Sequence, residues 1–158
     1  MLVLFKDAEL EDAKTLVAVQ IAAFHHDSVL YPEIEIGGPP GYDSVSVMEE
    51  KITENECYKI IANRQIIGGI VLFNKGEGHY HLDLIFIAPV FHNRGIGTQA
   101  MHFLEGKYPA RKWTLDTPAW AVRNIHFYEK FDYIKVGEFE DDSTPLIAYE
   151  KHIPGDES

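Results

Sequence analysis

Apolar residues recur along this chain in two rhythms, one of three to four positions and one of two. Leu10, Ala13, Val17, Ile21 and Phe24 follow the first rhythm and predict one face of a helix. Ahead of them, residues 2–6 form a short apolar run that reads as a strand. Ser44 is placed to cap a second helix over residues 45–52. Segments 57–62 and 66–73 are rich in isoleucine and valine and are separated by Asn63-Arg64-Gln65, which predicts two strands joined by a tight turn. A second turn at 74–78 leads into a long strand over 79–88, ended by Pro89. A helix follows Gly95 and Gly97, with Ile96, Ala100, Phe103 and Leu104 on its apolar side. Residues 112–116 read as a fifth strand, 121–131 as a helix, and 133–139 and 146–150 as two closing strands. Between the first two helices, residues 25–43 are irregular, because Gly37-Gly38-Pro39-Pro40-Gly41 admits neither regular helix nor central strand.

This order predicts one domain over residues 1–153 followed by a short polar tail at 154–158. The expected class is α/β (α+β), with helices covering a mixed, mostly antiparallel sheet of six to seven strands. Charge narrows the function. Against 25 Asp and Glu stand 14 Lys and Arg, a net −11 at pH 7. Nonspecific nucleic-acid binding needs a basic face, so no nucleic acid is expected as a partner. The acidic balance instead biases the chain toward cationic ligands. With 46% hydrophobic residues there is enough apolar surface to offset chain entropy, which argues against disorder. The single cysteine, Cys57, excludes an internal disulfide and a multi-cysteine metal site. No apolar run reaches the roughly 18–20 residues of a membrane helix, and residues 1–7 lack the charged lead and long apolar core of a secretion signal. The expected location is therefore the cytoplasm, with no membrane partner.

Chemistry concentrates after the long strand, where the chain runs Pro89-Val90-Phe91-His92-Asn93-Arg94-Gly95-Ile96-Gly97-Thr98 into a helix. Glycines there allow a ligand to approach the backbone closely, and the first amides of a helix have no internal partners. Such a turn suits a phosphate or diphosphate. A dinucleotide fingerprint needs a third glycine where Ala100 stands, and a phosphate-binding loop needs a lysine after Gly97, where Thr98 stands.

His92-Asn93-Arg94-Gly95-Ile96-Gly97 resembles the acetyl-CoA motif of the GNAT N-acetyltransferases, Gln/Arg-x-x-Gly-x-Gly/Ala, with histidine at the first position. A second segment, Asn124 through Phe127-Tyr128-Glu129-Lys130 to Glu138, is similar to that family's carboxy-terminal signature. The resemblance implies a sheet whose fourth and fifth strands splay apart. It implies that the backbone of Asn93, Arg94, Gly95, Ile96, Gly97 and Thr98 holds the CoA diphosphate beside His92. The backbone of Ile85, Phe86 and Ile87 then pairs with the pantetheine arm as an added strand. Tyr128 matches the general acid that protonates the departing thiolate. Asn124, one turn before it, either contacts the pantetheine arm in place of an asparagine at the position of Ala121 or faces solvent.

The base is left open. Strict alternation along the fourth strand puts His79, His81, Asp83 and Ile85 on one face. His81 stands where the histone-acetylating branch carries its glutamate, and Asp116 where the ribosomal-protein-acetylating branch carries one; Asp83 or a water relay are the remaining choices. His79, His81 and Asp83 also read as a metal trio, but the glycine turn accounts for that face without one, and no metal is expected. His25-His26-Asp27 and the loop at 33–42, with Glu33 and Glu35, correspond to a wall of the acceptor pocket. The resemblance thus implies transfer of acetyl from acetyl-CoA to a primary amine of a small molecule or protein, by direct attack in a ternary complex. Cys57, on an apolar strand, gives no ground for a covalent intermediate. The alternative is a non-catalytic acyl-CoA sensor, which has no need of an acid at the thiol. A homodimer is left open.

Overall fold

A computed structural model describes residues 1–154. Of the expected tail at 154–158, residues 155–158 lie outside the described residues. Seven strands, β1 (Val3–Asp7), β2 (Glu56–Ala62), β3 (Gln65–Gly76), β4 (His79–Ile87), β5 (Lys112–Pro118), β6 (Ile134–Asp141) and β7 (Thr144–His152), form one sheet in the order β1-β2-β3-β4-β5-β7-β6. Every neighbouring pair is antiparallel except β4 and β5. Five helices cover it: α1 (Ala13–His25), the single turn α2 (Asp27–Leu30), α3 (Val45–Glu54), α4 (Ile96–Lys107) and α5 (Val122–Lys130).

The two sheet faces carry separate cores. On one, Ile96, Ala100, Met101 and Leu104 of α4 and Tyr128 of α5 meet Tyr58, Ile70, Leu72, Trp113 and Leu115. On the other, Ala13, Leu16 and Val17 of α1 and Met48 of α3 meet Cys57, Val71, Leu84 and Phe86. Burial of each large aliphatic side chain contributes roughly 1.5–3 kcal/mol. Leu10, read as the start of the first helical face, sits instead in a short 3-10 turn and is 54% exposed. Asp12 closes that turn by accepting from the Glu9 amide at 2.8 Å, and it also pairs with Lys59 at 2.8 Å, so the α-helix begins only at Ala13. The region read as irregular contains α2, whose entry is fixed by the Ser28 hydroxyl donating to the His25 carbonyl at 2.9 Å.

Strict alternation along β4 fails at Asp83. Leu72 pairs with Leu82, but its neighbour Val71 pairs with Leu84, so Asp83 is the extra residue of a β-bulge. Ahead of the bulge, Tyr80 and Leu82 point into the α4–α5 core; beyond it Ile85 and Ile87 take that face, while Leu84 and Phe86 turn to α1. Ile85 therefore does not share a face with His79 and His81, as two-residue periodicity had indicated.

The bulge sits where the sheet opens. β4 and β5 pair only from His79 with Lys112 to Leu82 with Leu115. Beyond that point β4 stays with β3 as far as Ile87 opposite Gly68, and β5 stays with β7 as far as Pro118 opposite Leu146. The fourth and fifth strands diverge, and a wedge opens in mid-sheet.

Candidate active site

At one mouth of the wedge lies the glycine turn. Asn93 (φ 61°) and Gly95 (φ 76°) both take left-handed backbone, and Gly95 immediately precedes α4. The first bond of the helix runs from the Gln99 amide to the Gly95 carbonyl at 3.1 Å, so the amides of Ile96, Gly97 and Thr98 have no partner within it. No side chain caps this end, whereas α3 is capped by Ser44, whose Oγ accepts from the Val47 amide at 3.2 Å. Gly97 faces the Phe127 ring, which would stand 3.2 Å from an added Cβ. His92, in place of the motif's Gln or Arg, sets a ring nitrogen 2.7 Å from the Ile87 carbonyl and its edge against His26. It ties the turn to the end of β4. Arg94 lies over the Phe91 ring at 5.4 Å.

The wedge widens into a cavity of about 750 Å³. Its lining includes His81, Asp83 and Ile85 of β4, Asp116 and Thr117 of β5, and Asn124 and Tyr128 of α5. The loop at 34–40 and the β6–β7 turn at 141–146 close its other sides. His81, Asp116, Asn124 and Tyr128, all singled out from sequence, are thus brought together, while Phe86 is buried against α1 and the glycine turn lies outside this lining.

The three candidate bases differ in their surroundings. Asp83 is held by Lys51 of α3 in a salt bridge of 2.9 Å, which occupies its carboxylate. Burial lowers the basicity of His81, opposed by Asp116 and Asp83, leaving it below the ordinary histidine range and neutral at pH 7. Burial raises Asp116, with His81 pulling it down and Asp83 adding to the rise. The two lie close, His81 Nε2 to Asp116 Oδ2 being 3.8 Å. Tyr128 is 8% exposed, and burial pushes its phenol up to about 12, which keeps the proton on it. His79 and His81 both meet the Thr114 hydroxyl and Asp83 is taken by Lys51, so the three side chains that alternate along the strand are engaged with other partners; no group of three metal-ligating side chains occurs among the described residues. Cys57 is buried, and burial pushes its thiol up to about 12, far from a reactive thiolate.

The opposite wall comes from the helix-to-helix loop. His25 contacts the Tyr42 hydroxyl at 2.7 Å, and Tyr31 accepts from the Arg123 amide at 3.0 Å while its ring meets Trp120, so the loop is tied across to α5. Asp27 and Glu35 line the cavity. Burial pushes Asp27 up to about 6, against a lowering pull from His26. A carboxyl raised in the folded state is neutral in both states well below its unfolded value of 3.8; the destabilisation builds as pH rises from there to about 6 and is fully present above it. Asp27→Asn is therefore expected to leave the melting temperature unchanged at about pH 3. At pH 7.5 it should raise it by a few degrees, about 1 kcal/mol. Thermal melts at the two pH values check this.

Residues that the sequence reading passed over also meet here. Thr114 bonds both strand histidines, and Thr117, 2% exposed, has a hydroxyl with no partner. Spacing marks Thr114 as sharing a face with Asp116, two positions on, but only the β4–β5 register sets it opposite His81. Asp142 and Ser143, both left-handed, form a tight turn that their sequence does suggest, though not that it would reach the cavity.

The Acetyltransferase (GNAT) family model matches residues 23–133, and the chain belongs to that family. Among solved structures, the PaiA N-acetyltransferase of Thermoplasma acidophilum, in complex with coenzyme A, superposes with a TM-score of 0.76 at 16% identity, covering 97% of this chain and 100% of that one. A GNAT family acetyltransferase of Elizabethkingia anophelis with acetyl-CoA bound gives a TM-score of 0.60 at 20% identity, over 76% of this chain and 95% of the other. A Bacillus subtilis (strain 168) relative named "Uncharacterized protein YrkN" is 37% identical over 73 residues, 45% of this chain but only 40% of that protein's length. No helix among the described residues is long and apolar enough to cross a membrane.

Proposed function

We propose that this chain transfers acetyl from acetyl-CoA to a primary amine of a cationic small molecule or protein by direct attack in a ternary complex. The observation that carries the reading is the opening between β4 and β5, flanked by the uncapped amides of α4 and leading to a cavity where Tyr128, His81 and Asp116 converge. The likeness to two proteins solved with CoA or acetyl-CoA supports the same cosubstrate here.

Each step follows from a group already placed. The amides of residues 93–98 hold the diphosphate at the positive end of α4. The unpaired edge of β4 at Ile85–Ile87 takes the pantetheine arm as an added strand, and a backbone amide there stabilises charge on the thioester oxygen. Asn124 steadies the arm from α5. Neutral His81 removes a proton from the acceptor ammonium, and Asp116 stabilises the positive charge that develops on the ring. Tyr128 donates its proton to the departing thiolate and takes its replacement from the nitrogen of the collapsing intermediate. The product pair is an acetylated amine and CoA, with one proton released. Such a reaction belongs where acetyl-CoA is made and used, and we place the protein in the cytoplasm.

His81→Gln is expected to lower kcat by about a hundredfold or more and to remove the fall in rate at acidic pH. That fall lies below about pH 6.5, because His81 must be neutral to act and its basicity is depressed. The function itself is tested by following thiol release from acetyl-CoA across a panel of amines. Release that requires an amine, with acetylated amine recovered, is the expected result. Binding of acetyl-CoA with no amine-stimulated release would replace this reading by a non-catalytic sensor.

A further inference from the structure

We propose that Thr114 and His79 form, with His81, a relay that carries the proton taken from the acceptor amine out to solvent. The proposal rests on the reading of His81 as the base. Thr114 Oγ1 lies 2.7 Å from His81 Nδ1 and 2.7 Å from His79 Nε2. The register produces this: in the parallel pair Thr114 stands directly opposite His81, and His79 lies two residues back on the same face of β4, ahead of the bulge. The other nitrogen of His81, Nε2, is the one turned toward Asp116. One ring thus has a nitrogen for the substrate and a nitrogen for the relay. His79 opens the strand beside the Gly76–Gly78 turn, at the end remote from the wedge.

One hydroxyl carries one proton. With both rings neutral, Thr114 donates to one facing nitrogen and accepts from the other, so the tautomers of the two rings are locked in opposite senses. In the sense that suits catalysis His81 carries its proton on Nδ1 and presents a bare Nε2. As the ammonium of the acceptor gives a proton to His81 Nε2, the Nδ1 proton passes to Thr114 Oγ1. The Thr114 hydroxyl proton passes to His79 Nε2, and His79 releases its Nδ1 proton to water. One proton enters at the cavity and one leaves at the strand end. Between turnovers the row resets in reverse: His81 gives its Nε2 proton to water in the open cavity as a proton returns from water to His79 Nδ1 and back through Thr114, so each cycle releases one proton in all. The charges facing this row are Asp83 and Asp116 beside His81, and Lys75 of β3, Lys112 of β5 and Glu150 of β7 around His79, with Lys75 also reaching His81. Phe73 lies against the His81 ring at 6.1 Å and shields it from that side. Thr114 and His79 act through His81 and are positioning residues.

Two measurements test the relay. In the substrate-free protein, nitrogen-15 spectra of the imidazoles, recorded above both titrations, should find just one of His81 Nδ1 and His79 Nε2 protonated. Equal protonation of the two overturns the relay whatever the enzyme acetylates. In steady-state kinetics with the best amine from the thiol-release panel, Thr114→Val should lower kcat about tenfold or more and shift the acid limb of the pH profile. Thr114→Ser should restore both, and His79→Gln should be slow until imidazole is added to the buffer. Acetyl-CoA affinity should stay at the wild-type value in all three. Wild-type kcat in Thr114→Val, with His81→Gln inactive, leaves the base in place and overturns the relay. Failure of Thr114→Ser to rescue also overturns it. Wild-type activity in His81→Gln overturns the base reading and the relay together.

Discussion

Phenylalanine in place of Tyr128 is expected to lower kcat by about a hundred- to ten-thousandfold, while acetyl-CoA binds as before. The substitution removes one oxygen and leaves the ring where it is, against Phe127 at 5.5 Å and Tyr133 at 5.9 Å. Nothing in the packing requires the hydroxyl: burial alone accounts for its raised pKa, with no hydrogen bond contributing. The lost interaction exists only as the thiolate departs, so kcat and kcat/KM should fall together with little change in binding. Because the phenol is pushed up to about 12, it remains an acid across the neutral range, and the wild-type profile should show no loss of acid function there. Kinetics with saturating acetyl-CoA, alongside calorimetric titration of both proteins, check the split. Unchanged kcat would remove Tyr128 from the reaction.

The second large effect is at Gly95. An alanine there is strained by the left-handed φ of 76°, but asparagine and aspartate tolerate this backbone better than most residues. No heavy atom lies within 4 Å of where a Cβ would stand, so a side chain projects into the open space before α4. Gly95→Asn and Gly95→Asp therefore carry similar steric and backbone costs and differ by one negative charge. If the diphosphate lies on these amides, that charge costs roughly 2–3 kcal/mol at a few ångströms in a partly screened site, about a hundredfold in affinity. Gly95→Asn should bind acetyl-CoA within about tenfold of wild type, and Gly95→Asp about a hundredfold more weakly than Gly95→Asn. Titration calorimetry at low salt reads the difference, and high salt should shrink it.

Much of the fold was legible where an element keeps one period over its length. The α4 helix shows this: Ile96, Ala100 and Leu104 repeat every fourth residue and all three are buried. The glycine ahead of it announces a backbone that side chains adopt rarely, and Gly95 is indeed left-handed, while Gly97 lies within the helix. Asp83 marks where such reasoning stops. A single inserted residue exchanges the two faces of a strand, and nothing in His79-Tyr80-His81-Leu82-Asp83-Leu84-Ile85 signals it. Local rhythm put Ile85 with the histidines; the bulge moved it into the α4–α5 core and left His81 and Asp83 on the side of α3. Thr114 was invisible for a related reason. Its role depends on the register of two strands about thirty residues apart, which propensity and period do not encode. The loop at 34–40 reads as irregular from its glycines and prolines, but its convergence with the β6–β7 turn on one cavity is a tertiary fact.

The account rests on the amides at the head of α4 gripping the diphosphate of CoA. Comparing the wild-type protein's affinity for CoA with that for pantetheine, which keeps the thiol arm but lacks the nucleotide and its diphosphate, tests this directly when backbone amide resonances are followed in the same titrations. CoA should bind at least about a hundredfold more tightly than pantetheine, and only CoA should shift the amides of Gly95, Ile96, Gly97 and Thr98. Equal affinities, or CoA-induced shifts that bypass those four residues, would contradict it.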